Sequence, residues 1–319
     1  MRVLVTGANG FIGKALCSEL EKCSFEVVRA VRGPAASLRE VSVGEITAHT
    51  CWSDVLKLGI DSVVHLAGQV PISESAVEEQ SDQYLETNVF GTEHLAQQCS
   101  KFGVGRFVFL STVKVLGEGG PEPYHDGASP APAAGYAASK WGAEKVLHQF
   151  AGSSKMEVVV LRPPLVYGPG VKGNFLRLLQ AVDQRRVLPF GAIRSRRSMI
   201  YVGNLVDVIR LCLAHPGAAG HTFLVSDQED ISIPDLVRRI SSSLGKSVFL
   251  VPVPVPFMQW LGWVLGKRMA VDRLLGSLSV DSTGVQKRIG WAPPYTMDAG
   301  LSATVDWYRK SFKSSAAAG

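Results

Sequence analysis

The sequence begins with Val3-Leu-Val-Thr-Gly-Ala-Asn-Gly-Phe-Ile-Gly13, followed directly by Lys14-Ala-Leu-Cys-Ser-Glu-Leu20. The first residues are β-branched or apolar and predict a buried strand. In the second stretch Ala15, Leu16 and Leu20 share one helical face. Three glycines therefore lie between a strand and a helix, where backbone N–H groups and the helix dipole suit a pyrophosphate. An ordinary strand-to-helix turn can also be rich in glycine, but this context favours a dinucleotide-binding turn.

Strand and helix patterns alternate along the first half of the chain. Buried strands are predicted at 25–31, 61–68, 106–112 and 158–164, another strand is predicted to end at Glu45-Ile46, and helices are predicted at 81–102 and 136–150. His65 lies inside an apolar strand and is expected to be packed and hydrogen-bonded. The alternation is typical of an α/β fold with a Rossmann doubly wound parallel sheet.

The pattern becomes irregular after about residue 170, which predicts a smaller mixed C-terminal substrate-binding subdomain. The expected boundaries are 1–168 for the dinucleotide-binding domain, with a segment at about 192–225 returning to it, 169–310 mainly for the substrate subdomain, and 311–319 for a flexible tail. Residues 257–275 are apolar, but charged side chains at 267, 268 and 272 interrupt them. That interruption favours a packed amphipathic helix over a membrane anchor.

Composition excludes several classes of protein. The 319 residues are 46% hydrophobic and 19% charged, as in globular proteins, and the net charge is only +5. Lysine and arginine form no long blocks, so a nucleic-acid partner is not expected. Five cysteines without a CxxC or Cys/His cluster argue against a disulfide framework and a metal site. There is no signal-like leader and no transmembrane run, so a cytoplasmic location is expected.

The end of the second predicted strand bears on the choice of dinucleotide. NAD sites usually carry an acidic residue there for the ribose 2′-hydroxyl, whereas NADP sites lack it and supply arginine. Here the strand ends in Ala30-Val-Arg32 without an acid, and Arg29 is a second candidate. Arg32 also fits an ordinary surface arginine. We therefore expect NADP(H), with NAD(H) as the alternative.

Candidate catalytic side chains occur at Tyr136 and Lys140, which lie four residues apart on one face of a predicted helix. A tyrosine titrates near pH 10 in water, and a neighbouring lysine cation is expected to lower its pKa. The hydroxyls of Ser111 and Thr112 follow a neighbouring strand. Tyrosine, lysine and a hydroxyl together suit proton transfer to a carbonyl or from an alcohol, with a dinucleotide exchanging the hydride.

Several motifs occur together and in order: Thr6-Gly-Ala-Asn-Gly-Phe-Ile-Gly13, His65-Leu-Ala-Gly68, Asn88-Val-Phe-Gly-Thr92, Ser111-Thr112, Tyr136-x-x-x-Lys140 and Leu161-Arg-Pro-Pro-Leu-Val-Tyr-Gly-Pro-Gly170. In these motifs the chain resembles an extended short-chain dehydrogenase/reductase of the nucleotide-sugar epimerase/dehydratase/reductase group, over about residues 1–310. The resemblance implies that Tyr136, Lys140 and Thr112 are catalytic, with Ser111 as the adjacent alternative.

The resemblance also implies ligand contacts and a partner. The expected cofactor contacts are Gly7, Asn9, Gly10, Phe11, Ile12, Gly13, Arg32, Glu45, Ile46, Leu66, Ala67, Gly68, Tyr136, Lys140 and Pro163. The expected contacts with a UDP-sugar are Thr112, Asn174, Arg197 and Arg273, although Asn174 also fits a helix cap and Arg197 a solvated basic cluster. A homodimer is expected through a four-helix bundle formed by about 82–102 and 136–151.

Three reactions are known on such a scaffold. The acidic pair of the dehydratases is replaced by Val113 and Lys114, which disfavours dehydration. Arg32, together with Leu116 at a position where epimerases usually carry tyrosine, favours a reductase that exchanges its cofactor. The chain resembles bacterial 4-ketoreductases that form UDP-N-acetylquinovosamine for surface polysaccharide by reducing a UDP-2-acetamido-2,6-dideoxy-hexos-4-ulose. A UDP-hexose or UDP-HexNAc 4-epimerase and a non-catalytic NADP(H)-binding sensor are the alternatives.

Overall fold

The computed structural model describes residues 1–70, 81–133, 135–266 and 268–312. Its strands are β1 (Arg2–Thr6), β2 (Glu26–Val31), β3 (Glu40–Ser42), β4 (Ser62–His65), β5 (Arg106–Leu110), β6 (Glu157–Arg162), β7 (Leu165–Tyr167), β8 (Val187–Leu188), β9 (Arg196–Tyr201), β10 (Thr222–Leu224), β11 (Asp230–Ser232) and β12 (Phe249–Leu250). Seven of them form a parallel sheet in the order β10-β6-β5-β4-β1-β2-β3. The expected Rossmann-type α/β fold is confirmed.

Helices flank this sheet and build the C-terminal part. They are α1 (Phe11–Lys22), α2 (Ser53–Leu56), α3 (Ser81–Tyr84), α4 (Gly91–Lys101), α5 (Tyr136–Ser153), α6 (Gly173–Gln184), α7 (Val202–Cys212), α8 (Ile233–Ser243), α9 (Val255–Val264), α10 (Arg268–Leu275), α11 (Thr283–Ile289) and α12 (Met297–Phe312). Along the described residues, no helix combines the length and the apolar character that crossing a bilayer requires.

Both faces of the parallel sheet are covered, which explains why its strands are apolar throughout. On one face, side chains such as Val3 and Val5 of β1 pack against α1 and α7. On the other face, Leu4 packs with apolar residues of α4 and α5. The carboxyl ends of the strands therefore meet at one edge, where the loops that carry the candidate site residues begin.

The C-terminal part has its own small sheets and core. β11, β9 and β7 form a mixed sheet, and β12 pairs with β8. Apolar side chains of α6, α8 and α12 form a separate core that includes Phe175, Val237 and Val305. β9 belongs to this smaller sheet, whereas β10 is an edge strand of the large one.

Three elements differ from the sequence-based expectation. β3 ends at Ser42, because Gly44 takes a left-handed conformation, so Glu45 and Ile46 follow the strand rather than end it. The helix expected at 81–102 contains a π-helical segment at Leu85–Phe90. The helix expected at 257–275 is two helices, α9 and α10, because left-handed Gly266 ends the first. Lys267 and the tail beyond residue 312 lie outside the described residues.

His65 is buried and hydrogen-bonded, as expected, and it links three elements beneath the candidate site. Thr92 donates its hydroxyl hydrogen to the Asn88 carbonyl at 2.7 Å, so it can only accept from His65 Nε2 at 2.9 Å. The neutral ring then accepts at Nδ1 from the Thr6 hydroxyl, at 2.7 Å. β1, β4 and α4 are therefore joined through one neutral histidine. Burial and the nearby Lys140 lower the pKa of His65 to about 3.

The His65 pKa predicts acid sensitivity of the fold. An unfolded histidine binds its proton near pH 6.5, whereas folded His65 does so near pH 3, so the unfolded state gains a proton as the pH falls below 6.5. We expect this residue alone to lower the free energy of unfolding by about 2 kcal/mol between pH 7 and 5. Urea unfolding of wild type and His65→Gln at both pH values measures it, with exposed His49→Gln as the control. Equal pH-dependent losses in wild type and His65→Gln would contradict the assignment.

Candidate active site

The glycine turn between β1 and α1 is too tightly packed for side chains. Gly7 has a left-handed φ of +67°, and its carbonyl accepts a hydrogen bond from the Gly10 N–H at 2.9 Å. A Cβ at Gly13 would lie 2.2 Å from the Gly7 carbonyl oxygen, and a Cβ at Gly7 would lie 2.8 Å from the backbone nitrogen of Ala67. The turn is thus closed onto α1 and onto the end of β4, with the α1 N-terminus open to an anion.

The remaining predicted cofactor residues follow strand ends at the same edge of the sheet. Asn9 and Gly10 are exposed in the turn, and Phe11 and Ile12 are half-buried at the start of α1. Leu66, Ala67 and Gly68 follow β4 and are half-buried, whereas Ile46 and Pro163 are buried after β3 and β6. These residues line the edge where the expected dinucleotide would lie.

Arg32 and Arg29 have different partners. The Arg32 guanidinium lies 3.2 Å from the Glu45 carboxylate, and both side chains are exposed. Arg29 is ion-paired at 2.7 Å with Glu21 of α1, which also pairs with Arg39. Arg29 is thereby held against α1, so Arg32 is the better placed of the two beyond the end of β2. An acid does lie near this strand end, but Glu45 comes from the loop after β3.

Lys140 lies on the buried side of α5, one turn after Tyr136. Its ammonium donates to the Leu110 carbonyl at 3.0 Å and lies 4.5 Å from the centre of the Phe109 ring. Burial lowers the pKa of Lys140 to about 8, although the Glu144 carboxylate acts in the opposite direction. A Cβ at Gly68 would lie 3.2 Å from the Lys140 Nζ. Lys140 therefore reaches the strand edge beside the glycine turn.

Tyr136 is half-buried at the start of α5, with its ring centre 6.4 Å from that of Tyr84. Burial and the neighbouring Tyr84 raise the pKa of Tyr136 to about 12. The prediction that Lys140 lowers the pKa of Tyr136 is therefore wrong for this structure. The physical reason is that loss of hydration disfavours the phenolate, while the Lys140 ammonium is directed at the Leu110 carbonyl.

Ser111 and Thr112 differ in what their hydroxyls contact. The buried Ser111 hydroxyl donates to the Glu144 carboxylate, which is itself ion-paired with Arg162 at 2.6 Å. Half-buried Thr112 accepts a long hydrogen bond from the Lys114 N–H at 3.3 Å. The Ser111 hydroxyl is thus committed inside the protein, so Thr112 is the better candidate for contact with a substrate oxygen.

Sequence reasoning missed the residues that support this cluster. Glu144 is fully buried, and Arg162 donates to both of its oxygens. Asn88 accepts from the Gln69 N–H at 2.7 Å and donates to Ser139 at 2.9 Å. A glutamate four residues after Lys140 was the available signal for Glu144, since these positions share a helix face.

Three of the four predicted substrate contacts lie in the C-terminal part of the chain. Arg197 on β9 donates to the Gly276 carbonyl at 2.9 Å, while its buried Nε has no partner among the described residues. Arg196, not Arg197, is exposed, so the solvated-cluster alternative does not describe Arg197. Asn174 is exposed in the first turn of α6 and forms no cap. Arg273 is exposed on α10, three residues before Gly276.

An unpartnered buried guanidinium nitrogen is the strongest ligand signal among these three residues. Burial lowers the pKa of Arg197, because its charge is only partly compensated. A diphosphate would supply the missing acceptor. In the described parts of the chain, no group of His, Cys, Asp or Glu side chains is suited to a metal ion.

Comparison with known proteins agrees with this geometry. The model of the NAD dependent epimerase/dehydratase family matches residues 3–226. A UDP-glucose 4-epimerase of Vibrio cholerae is 39% identical over 308 residues, covering 95% of this chain and 94% of the relative. An N-acetyl-α-D-glucosaminyl-diphospho-ditrans,octacis-undecaprenol 4-epimerase of Escherichia coli O157:H7 is 27% identical, covering 96% and 94%. The solved structure of MoeE5 in complex with UDP-glucose and NAD has 26% identity and a TM-score of 0.79, covering 98% and 99%.

Proposed function

Because the chain belongs to the NAD dependent epimerase/dehydratase family, we propose that it performs hydride chemistry at C4 of a UDP-sugar. Specifically, we propose NADPH-dependent reduction of the 4-keto group of a UDP-2-acetamido-2,6-dideoxy-hexos-4-ulose to a product of the UDP-N-acetylquinovosamine type. The observation that supports this proposal is that Lys140, one turn after Tyr136 on α5, reaches Gly68 at the strand edge that holds the glycine turn. Thr112 follows β5 at the same edge.

The site has the features that a dinucleotide needs. The close packing at Gly7 and Gly13, where a Cβ would collide with the backbone, holds the α1 N-terminus at the end of β1, a position that suits a pyrophosphate. Lys140 is within reach of the adjoining strand end for a ribose hydroxyl. A nicotinamide held there supplies the hydride. The proton and the hydrogen bonds to the reacting C4 oxygen are supplied by side chains of the protein.

The protonation state of Tyr136 suits a proton donor. Reduction of a ketone needs a proton donor, and a phenol with a pKa of about 12 is protonated at neutral pH. In this proposal Tyr136 gives its proton to the C4 oxygen while Thr112 donates a hydrogen bond to the same oxygen. Lys140, one turn later on α5, is given the ribose of the cofactor to hold.

Other residues bear on the alternative reactions, dehydration and epimerisation. Lys114 is ion-paired with Glu118 at 2.8 Å, and Val113 is buried, so neither supplies the acid–base pair of a dehydratase. A UDP-hexose or UDP-HexNAc 4-epimerase is the second candidate, favoured by the names of the V. cholerae and E. coli relatives. An epimerase retains its cofactor, whereas a reductase must exchange it.

A homodimer through α4 and α5 also remains a prediction.

Turnover with purified protein tests the proposed reaction. We expect NADPH to be oxidised, seen as a loss of absorbance at 340 nm, when the UDP-4-keto-6-deoxy-HexNAc is added. One product molecule should form for each NADPH consumed. Mass spectrometry of nucleotides released from the purified protein identifies any retained cofactor. Interconversion of UDP-hexoses or UDP-HexNAc sugars without added cofactor would establish the epimerase instead. Tight NADPH binding with no turnover on either substrate would establish the sensor.

Removal of the Tyr136 hydroxyl tests the proton donor. We expect Tyr136→Phe to fold and bind cofactor but to lose at least about 10²-fold in kcat, because the variant lacks the proposed proton donor to the C4 oxygen. Thr112→Val is expected to reduce kcat with little loss of stability, whereas Ser111→Ala should chiefly lower Tm, since Ser111 contacts Glu144. Tyr295→Phe is the matched control on an exposed tyrosine. Wild-type kcat in Tyr136→Phe would remove it from the mechanism.

The Arg32–Glu45 pair tests the cofactor preference. An exposed ion pair contributes little, so a 2′-phosphate can replace Glu45 as the partner of Arg32. We expect Arg32→Ala to raise the Kd for NADPH about tenfold or more, with a change below about threefold for NADH. Glu45→Ala should leave NADPH binding intact. If Glu45→Ala instead weakens NADH and Arg32→Ala leaves NADPH unchanged, Glu45 serves the ribose of NAD.

A further inference from the structure

Helix α9 exposes most of its apolar side chains. Phe257, Trp260 and Trp263 are 52%, 56% and 68% exposed, and Leu261 and Val264 are exposed as well. Positions 257, 260, 261 and 264 recur at helical spacing and therefore form one continuous stripe. The expectation of a packed amphipathic helix is wrong here, because the packed side is not the side that carries the large residues.

The opposite side of α9 is fixed against α10. Met258 and Gly262 are the buried residues of the helix, and a Cβ at Gly262 would lie 2.7 Å from a methyl of Val271. This contact orients the helix and leaves the stripe pointing away from the fold. Gln259 is its one polar side chain, and none is charged. A surface helix of this kind marks an interaction site.

The chain segments around α9 are strongly basic. Residues 185–196 carry four arginines and no acid, and residues 246–273 carry four basic residues and one acid, Asp272. β12 pairs with β8, which brings these two segments together before α9 begins. Arg185 and Arg186 are exposed beside β8, and Phe249 and Val187, paired in the two strands, are exposed too. Lys246 is ion-paired with Asp183, and Arg268 with Asp272, so exposed Arg185 and Arg186 supply the positive charge at the strand pair that precedes α9.

This combination identifies the kind of partner. Tryptophan and phenylalanine suit the boundary between lipid headgroups and acyl chains, and arginine is attracted to anionic headgroups. A second copy docking through the same face would bring its own arginines opposite these. The ten residues of α9 span about 15 Å, half the thickness of a hydrocarbon core, so the helix cannot cross it.

We propose that α9 is an interfacial helix that docks this protein on the surface of an anionic phospholipid membrane. Phe257, Trp260, Leu261 and Val264 enter the headgroup–acyl boundary, and the surrounding arginines contact phosphate groups. α10 follows α9 and leads to Gly276, whose carbonyl accepts from Arg197. The docked helix would thus lie next to the candidate diphosphate contact. That link rests on the proposed function, whereas the docking itself does not.

Flotation with lipid vesicles tests the docking. We expect the full chain to float with vesicles of phosphatidylcholine and phosphatidylglycerol, to bind vesicles of phosphatidylcholine alone less, and to be released in part by high salt. The double variant Phe257→Ser/Trp260→Ser, which removes the two aromatic side chains of the stripe, is expected to lose about tenfold or more in partitioning. Leu38→Ser/Leu58→Ser, which removes exposed apolar side chains elsewhere, is the matched control and should bind as wild type does.

Independent readouts keep the result interpretable. Circular dichroism, Tm and binding of NADPH or NADH establish that the double variant is folded, whatever reaction the site catalyses. Tryptophan fluorescence of the wild type should shift to the blue on vesicle addition and be quenched by brominated lipid. Absence of flotation, or equal flotation of wild type and double variant, overturns the proposal. Conversion of a wild-type oligomer to monomer by the double variant, without vesicle binding by either, assigns the stripe to contact between copies.

Discussion

The approach of α1 to the end of β1 is the constraint on which the site depends. A Cβ at Gly13 would lie 2.2 Å from the Gly7 carbonyl oxygen, so helix and turn meet through backbone alone. Gly7 in turn touches the backbone of Ala67, and the next residue, Gly68, lies against Lys140. A line of close approaches at glycines therefore joins the phosphate turn to the candidate catalytic lysine. A methyl group at any of these glycines would separate two parts of the site.

A buried charged network holds the other side of the site. Glu144 and Arg162 are both buried, and burying two charges costs several kcal/mol per ion unless the geometry compensates. Here Arg162 donates to both carboxylate oxygens, and Ser111 donates to one of them. The same carboxylate supports the charge of Lys140 one turn earlier on α5. The network holds Ser111 at the end of β5 and does not include the hydroxyl of Thr112, which accepts from the Lys114 N–H.

The sequence allowed the sheet and the glycine turn to be predicted, because strand burial and backbone clearance are local properties. It could not separate Ser111 from Thr112, since the partner that commits Ser111 lies 33 residues away on α5. It missed that Glu45 pairs with Arg32, because a loop after another strand supplies that carboxylate. It also misjudged α9, for apolar periodicity reports that a helix has an apolar face but not whether anything covers that face.

Burial disfavours the charged form of both Tyr136 and Lys140, although one of these forms is an anion and the other a cation. It raises the pKa of the phenol to about 12 and lowers the pKa of the ammonium to about 8, so both neutral forms are favoured relative to water. The two groups do not offset each other's burial in this structure, because the Lys140 ammonium donates to the Leu110 carbonyl and the group that acts on the Tyr136 phenol is Tyr84. Tyr136 is therefore protonated at neutral pH, which is the form that a proton donor needs. The packing at the start of α5 thus sets the protonation state in which Tyr136 would meet a substrate.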